Sequence, residues 1–243
     1  MNNKASTFWL GLIPLSEEIY SILHFIPLAV SSKAPYKCFM EIELFAGGNI
    51  LKECVLDEGR LGEPDAVRAL DLLKDTILNG TLEELAANKN DVPLIGVKVT
   101  FQAAEPRIDT ASSQCFLEVF NKEQENFLLP FQKISLEKIT NTKFLILPSL
   151  VNHKVKLLAV NPSPQLCLIK FKPLESGIEK TVEAPPFSIY EMPVEEIIYR
   201  ESLAVNGSEI KIFSAEVACT EPVSFYALVK GSKDKDNFFL HSL

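Results

Sequence analysis

At 243 residues, 47% apolar and 23% charged, the chain is long enough for one large domain or two of about 120 residues, and too apolar for wholesale disorder. A net charge of −8 with four arginines (Arg60, Arg68, Arg107 and Arg200) argues against the concentrated basic face that nucleic acid or anionic lipid requires. Five scattered cysteines fit no secreted disulfide framework, and no C-x-x-C supports zinc or a redox motif, so they read as free thiols acting as small buried hydrophobes.

The first apolar run, Phe8 to Leu15, contains Pro14, is followed by Glu17-Glu18 and lacks a small-x-small cleavage site. It reads as a strand and not as a signal peptide. No apolar run approaches ~20 residues, so no membrane span is expected and the location is expected to be cytoplasmic. Phe39 to Leu44 alternates apolar with charged residues, the pattern of a strand with one buried face. Ala46-Gly47-Gly48-Asn49 then supplies a turn.

From Glu63 to Asn79 the reading changes to helix. Pro64 suits a first helical turn and Asp65 the positive end of the dipole. Ala66, Leu70, Leu73 and Ile77 form one apolar stripe, and Asn79-Gly80 a stop. Thr81-Leu82-Glu83-Glu84 resembles a capping box for a second short helix ending near Asn88. The opposite face of the first helix carries Arg68, Asp71, Lys74 and Asp75, the candidate partner surface, against the plainer reading of a solvated mixed-charge face.

Further strands are predicted at Val97 to Phe101, Cys115 to Phe120 and Asn126 to Leu129. Gln132 to Lys143 is polar and free of glycine, as expected of a short, fairly rigid linker. In the second half Cys167 to Lys172 and Ile210 to Phe213 alternate, and Phe225 to Val229 is richer in aromatics. Turns are predicted at Asn161-Pro162-Ser163-Pro164, Val205-Asn206-Gly207-Ser208 and Lys230-Gly231-Ser232-Lys233. Between them, Val194 to Tyr199 holds one short helix or none.

The two halves look alike. Pro35 to Ile42 aligns without a gap on Pro164 to Phe171, 129 residues on, with Cys38 on Cys167 and Gly48 on Gly177. Leu12-Ile13-Pro14 matches Ile146-Leu147-Pro148, and Leu28-Ala29-Val30 matches Leu158-Ala159-Val160. Val97-Lys98-Val99 matches Ile210-Lys211-Ile212, and Asn126 to Leu129 matches Asn237 to Leu240. The expected fold is therefore mainly β: two tandem, internally duplicated antiparallel β-sandwich domains. The first covers residues 1–133 with a helical insertion at about 63–88, and the second covers 140–243.

Chemistry is harder to find. His24, His153 and His241 have no ligand spacing, and there is no G-x-S-x-G elbow or catalytic cysteine context. Gly47-Gly48 lacks a phosphate-loop pattern. Glu17-Glu18, Asp57-Glu58, Glu83-Glu84 and Glu195-Glu196 read as solvated surface, since neighbours on a strand point to opposite faces. Carboxylates from distant segments converging as a glycosidase pair stay open. Trp9, Tyr20, Tyr36, Tyr190 and Tyr199 lie near predicted loops, where core or rim packing competes with stacking on a sugar or partner. No catalytic, cofactor or metal residue is assigned, and no cofactor is expected.

The second half enters an Asn-Pro turn at Leu158-Ala159-Val160-Asn161-Pro162, passes a strand pair around Ser176-Gly177 and continues through Glu183 to Tyr190. A late strand ends at Glu221-Pro222-Val223. This order resembles the sensory rhodopsin transducer family of small bacterial β-sandwiches. The resemblance implies a soluble sandwich that oligomerises and binds a partner or small ligand, and it assigns no functional residue. The duplicated unit and the helical insertion depart from that pattern. The expected function is a non-catalytic binding or assembly module, acting on a protein partner or on itself, with a small ligand or glycan also open. The alternative is a carbohydrate-active enzyme or lectin with its site in an interdomain cleft.

Overall fold

The computed structural model describes residues 7–15, 20–27, 37–60, 65–68, 93–103, 113–120, 126–135, 142–150, 153–173, 179–193, 200–205, 208–231 and 238–243. Among these residues the regular structure is strand, with no helix. The chain divides into two compact units, Met1–Glu137 and Lys138–Leu243.

The first unit holds β1 (Thr7–Pro14), β2 (Tyr20–Ile26), β3 (Lys37–Ala46), β4 (Asn49–Arg60), β5 (Asp65–Arg68), β6 (Leu94–Ala103), β7 (Gln114–Phe120), β8 (Asn126–Pro130) and β9 (Gln132–Ser135). They form two antiparallel sheets, ordered β4-β3-β6-β1-β9 and β5-β2-β7-β8. The alternation read at Phe39 to Leu44 is that of β3: Met40, Ile42 and Leu44 are buried, Glu41 is exposed and Glu43 is half-buried. Glu43 stands opposite Lys98 and pairs with it at 2.6 Å. Gly47 and Gly48 turn the β3–β4 hairpin with φ of 58° and 90°, the two positive values of a type I′ turn. The core joins both sheets through Phe101, which meets Trp9 edge-on at 4.9 Å and Phe25 at 6.3 Å.

The second unit holds β10 (Thr142–Leu150), β11 (His153–Asn161), β12 (Cys167–Pro173), β13 (Lys180–Ala184), β14 (Ser188–Pro193), β15 (Arg200–Val205), β16 (Ser208–Cys219), β17 (Ser224–Gly231) and β18 (Phe238–Ser242). Its antiparallel sheets run β10-β16-β12-β13, with β15 also on β16, and β14-β11-β17-β18. β12 alternates buried and exposed over its whole length. Its inward residues Cys167, Ile169 and Phe171 pack in one cluster with Leu157, Ala159, Val217 and Phe225. Ranked along the chain without β9 and β15, the strands of both units give the same two sheet orders, 4-3-6-1 and 5-2-7-8.

One expectation is corrected. The start of the predicted helical insertion, Asp65 to Arg68, is strand β5, with Ala66 opposite His24 and Arg68 opposite Ile22. The signals at Pro64 and Asp65 offered only local capping, whereas the edge of β2 offers a row of backbone partners distant in sequence. Leu70, Leu73 and Ile77 of the stripe, the segment from Thr81 to Asn88 and the segment Val194 to Tyr199 lie outside the described residues. The stretch Gln132 to Lys143, within which the linker is expected, has strand at both ends. Gln132–Ser135 is β9, paired to β1 with Ile134 buried opposite Phe8, and Thr142 already opens β10. Its one apolar residue on a four-residue edge strand was masked by polar neighbours.

Candidate functional site

A polar cluster lies in the second unit, where three connections meet: Pro162 to Leu166 between β11 and β12, Pro185 to Phe187 between β13 and β14, and Thr220 to Val223 between β16 and β17. Asn161, the last residue of β11, is 0% exposed and ties the first two together, and Ser163 adds the third. The Asn161 amide donates to the carbonyls of Gln165 at 2.9 Å, Ala184 at 3.1 Å and Pro185 at 2.8 Å. Its Oδ1 accepts from the Ser163 N–H at 3.0 Å, an Asx turn of the kind an Asn-Pro start favours. Ser163 Oγ donates to Glu221 Oε2 at 2.9 Å and accepts from the Gln165 N–H at 3.1 Å.

Phe187 completes the arrangement. Its N–H donates to the Ser163 carbonyl at 3.1 Å, and its backbone is left-handed, with φ of 42°. A bulky residue rarely adopts that conformation, so the surrounding hydrogen bonds fix the turn against local preference. Ser188 Oγ donates to the Pro185 carbonyl at 2.7 Å.

Beside this network sits a pair of thiols. Cys167 is buried and its Sγ lies 3.7 Å from the Leu168 carbonyl and 3.9 Å from the Glu221 carbonyl. A hydrogen bond from Cys219 is the largest influence on its acidity, and it prevails over burial, which acts the other way. The backbone of Glu221 and the hydroxyl and backbone of Thr220 add to it, and the thiol is lowered to about 7. The arrangement thus makes a thiolate available near neutral pH.

A second, smaller cluster lies in the first unit. His24 Nε2 is 3.0 Å from Glu118 Oε2, and the other oxygen of Glu118 accepts from Asn126 at 2.8 Å. The imidazole stacks on Phe116 at 4.7 Å. Among the described residues no group of three His, Cys, Asp or Glu is placed to hold a metal ion.

Most residues singled out in the sequence are not brought together. Arg68 ends β5, while Asp71, Lys74 and Asp75 lie outside the described residues. The three histidines occupy separate strands, β2, β11 and β18. Asp57 and Glu58 lie in β4, and the other paired acids fall outside the described residues. Trp9 is no loop aromatic: it is 3% exposed, in the core. Tyr190 packs against the core of the second unit, and Tyr20 stands opposite Phe120. Tyr36 and Tyr199 lie outside the described residues. Asn161 was legible only as a turn residue, and the approach of Cys219 to Cys167, 52 residues apart, left no local signal.

No protein-family model, curated protein or solved structure matches this chain.

Proposed function

We propose that the protein is a non-catalytic assembly module built from a duplicated β-sandwich, and that it self-associates through the edge of β10. The duplication is supported by strand register. Matching Pro14 to Pro148 pairs Leu94 with Ile212 as their partners, an offset of 118 residues. Matching Met40 to Ile169, as the Cys38 and Cys167 alignment requires, pairs Phe101 with Cys219, again 118. Two independent strand matches thus agree on one register for a third strand. That register revises the sequence alignment: Val97 and Val99 correspond to Ala215 and Val217, all buried, and not to Ile210 and Ile212.

One observation carries the assembly reading. In the first unit β9 pairs with β1, from Thr7 opposite Ser135 to Leu10 opposite Gln132. β10 holds the corresponding position in the second unit, and among the described residues no strand pairs with its outer side. Such an edge is a template for another strand. Ile146 on β10 is 64% exposed, an apolar side chain that a neighbouring copy would cover. An antiparallel pair of β10 strands about a two-fold axis is the simplest closure, since each copy offers the same surface. The resemblance to an oligomerising sandwich family agrees with it.

Pro148 supplies the test. It stands opposite Ile212 in the ladder yet has no N–H, so its nitrogen faces away from β16. Residues two apart share that side, so the N–H of Ile146 points to the open edge. Ile146→Pro therefore removes a donor from the edge without breaking the β10–β16 ladder. Light scattering across a concentration series is expected to give the mass of two chains for the wild type and of one for the variant, with unchanged far-UV circular dichroism. A wild type that stays a single chain, or a folded variant that stays paired, refutes the reading.

A further inference from the structure

Cys167 opens β12 and Cys219 closes β16. Cys219 stands opposite Ile169, so Cys167 is its diagonal neighbour, two residues on along the same inward face. Neither thiol is in a disulfide, and Cys219 hydrogen-bonds to Cys167. Diagonal neighbours on antiparallel strands are ordinarily farther apart than a disulfide needs. The turn beyond β16 also bonds back to β12 beside Cys167: the Thr220 N–H donates to the Leu168 carbonyl at 3.1 Å, and the Leu168 N–H donates to Thr220 Oγ1 at 2.9 Å.

The pair differs from the other described cysteines. Cys115 is buried, and burial pushes its thiol well above 9.0. Cys54 is half-buried and also raised by burial, with Lys52 opposing. Only Cys167, among these, is lowered, to about 7, and the first cause is Cys219. Exposure divides the labour, because Cys167 is buried and Cys219 is half-buried. A small oxidant meets Cys219 first, and Cys167 waits behind it as the resolving thiolate.

We propose that Cys167 and Cys219 are an oxidation site at which a hydroperoxide forms a reversible disulfide. The Cys167 thiolate takes the Cys219 proton through the hydrogen bond between them, the Cys219 thiolate attacks the peroxide, the O–O bond breaks, and the alkoxide takes that proton back from Cys167 and leaves as an alcohol, with a sulfenic acid on Cys219 and the thiolate restored on Cys167. The Cys167 thiolate attacks that sulfur, the S–O bond breaks, and hydroxide leaves as water. From one thiol, one thiolate and one solvent proton, the S–H and O–O bonds are consumed, one S–S bond forms, an alcohol and a water are released, and the peroxide is reduced by two electrons. A dithiol reverses the step by exchange.

The test uses the full reduced chain and hydrogen peroxide in rising ratio, followed by alkylation under denaturing conditions and peptide mass mapping. The expected result is joint loss of two of the five thiols, one peptide pair linking Cys167 with Cys219, and full recovery with dithiothreitol. Half-buried Cys54 is the internal control and is expected to react at least tenfold more slowly. In Cys167→Ser the Cys219 sulfenic acid is expected to accumulate and be trapped by dimedone, whereas in Cys219→Ser the buried Cys167 resists. If either variant fails to fold, the wild-type map decides alone. Oxidation of the pair no faster than Cys54, or a disulfide joining any other two cysteines, overturns the proposal.

Discussion

Replacing Asn161 tests whether one buried amide holds the end of the second unit together. Asn161→Ala removes an accepted bond from the Ser163 N–H and a donor group shared among three carbonyls. The amide has two hydrogens, so the three donor contacts count as two full bonds. At about 1 kcal/mol for each bond lost, plus the cost of stranding a buried carbonyl and N–H, the loss is about 3–5 kcal/mol. That is a large share of the ~5–15 kcal/mol that holds a domain folded. Asn161→Asp keeps the shape but aims a carboxylate at carbonyl oxygens from a fully buried position. Burial and those oxygens raise its folded pKa above the ordinary ~3.9, so the protonated form is the one that fits. Protons then bind more tightly to the folded state. The defect is smallest below pH ~4 and grows by about 1.4 kcal/mol per unit until the raised pKa is passed. Trp9 is the single tryptophan and lies in the first unit, so its fluorescence reports that unit while far-UV circular dichroism reports both. Urea melts from pH 4 to 7 are expected to show an early dichroism transition that fluorescence does not follow. A loss below 1 kcal/mol in Asn161→Ala, or a pH-independent Asn161→Asp, would refute the account.

Two further outcomes are expected. A Cβ added at Gly96 would lie 2.3 Å from Cε2 of Phe45, a ring only 1% exposed, so Gly96→Ala should lower stability by about 1–3 kcal/mol. Adding Phe45→Leu should return part of that loss, and a double variant no better than the single one counts against the clash. Because the Cys167 thiol is lowered in the folded state, the unfolded chain binds more protons between pH 7 and 9, and stability rises with pH across that window. Cys219→Ala removes the largest cause, so denaturant midpoints from pH 6 to 9 should flatten in that variant, and an unchanged slope would rule this cause out.

Strands with one buried face were legible in the sequence, together with the direction of their side chains, since alternation is a local property. Phe39 to Leu44 and Cys167 to Lys172 show it, and both are one-face-buried strands. Gly47-Gly48 was equally legible, because positive φ is a requirement on the residue itself. Local signals failed where a partner far along the chain decided the outcome. Asp65 to Arg68 carries helix-start residues yet becomes β5, because β2 supplies its backbone hydrogen bonds. Gln132 to Ser135 is polar yet becomes β9, because β1 has an edge to fill. The candidate site follows the same rule. Asn161 announces a turn, but its three carbonyl partners come from the β11–β12 loop, the last residue of β13 and the turn after it. Cys167 announces a core position, but its acidity depends on a cysteine brought beside it by the β12–β16 pairing. A residue's neighbours in sequence set its conformational preferences. Its neighbours in the folded sheet set its hydrogen bonds and its protonation, and only the tertiary structure chooses those.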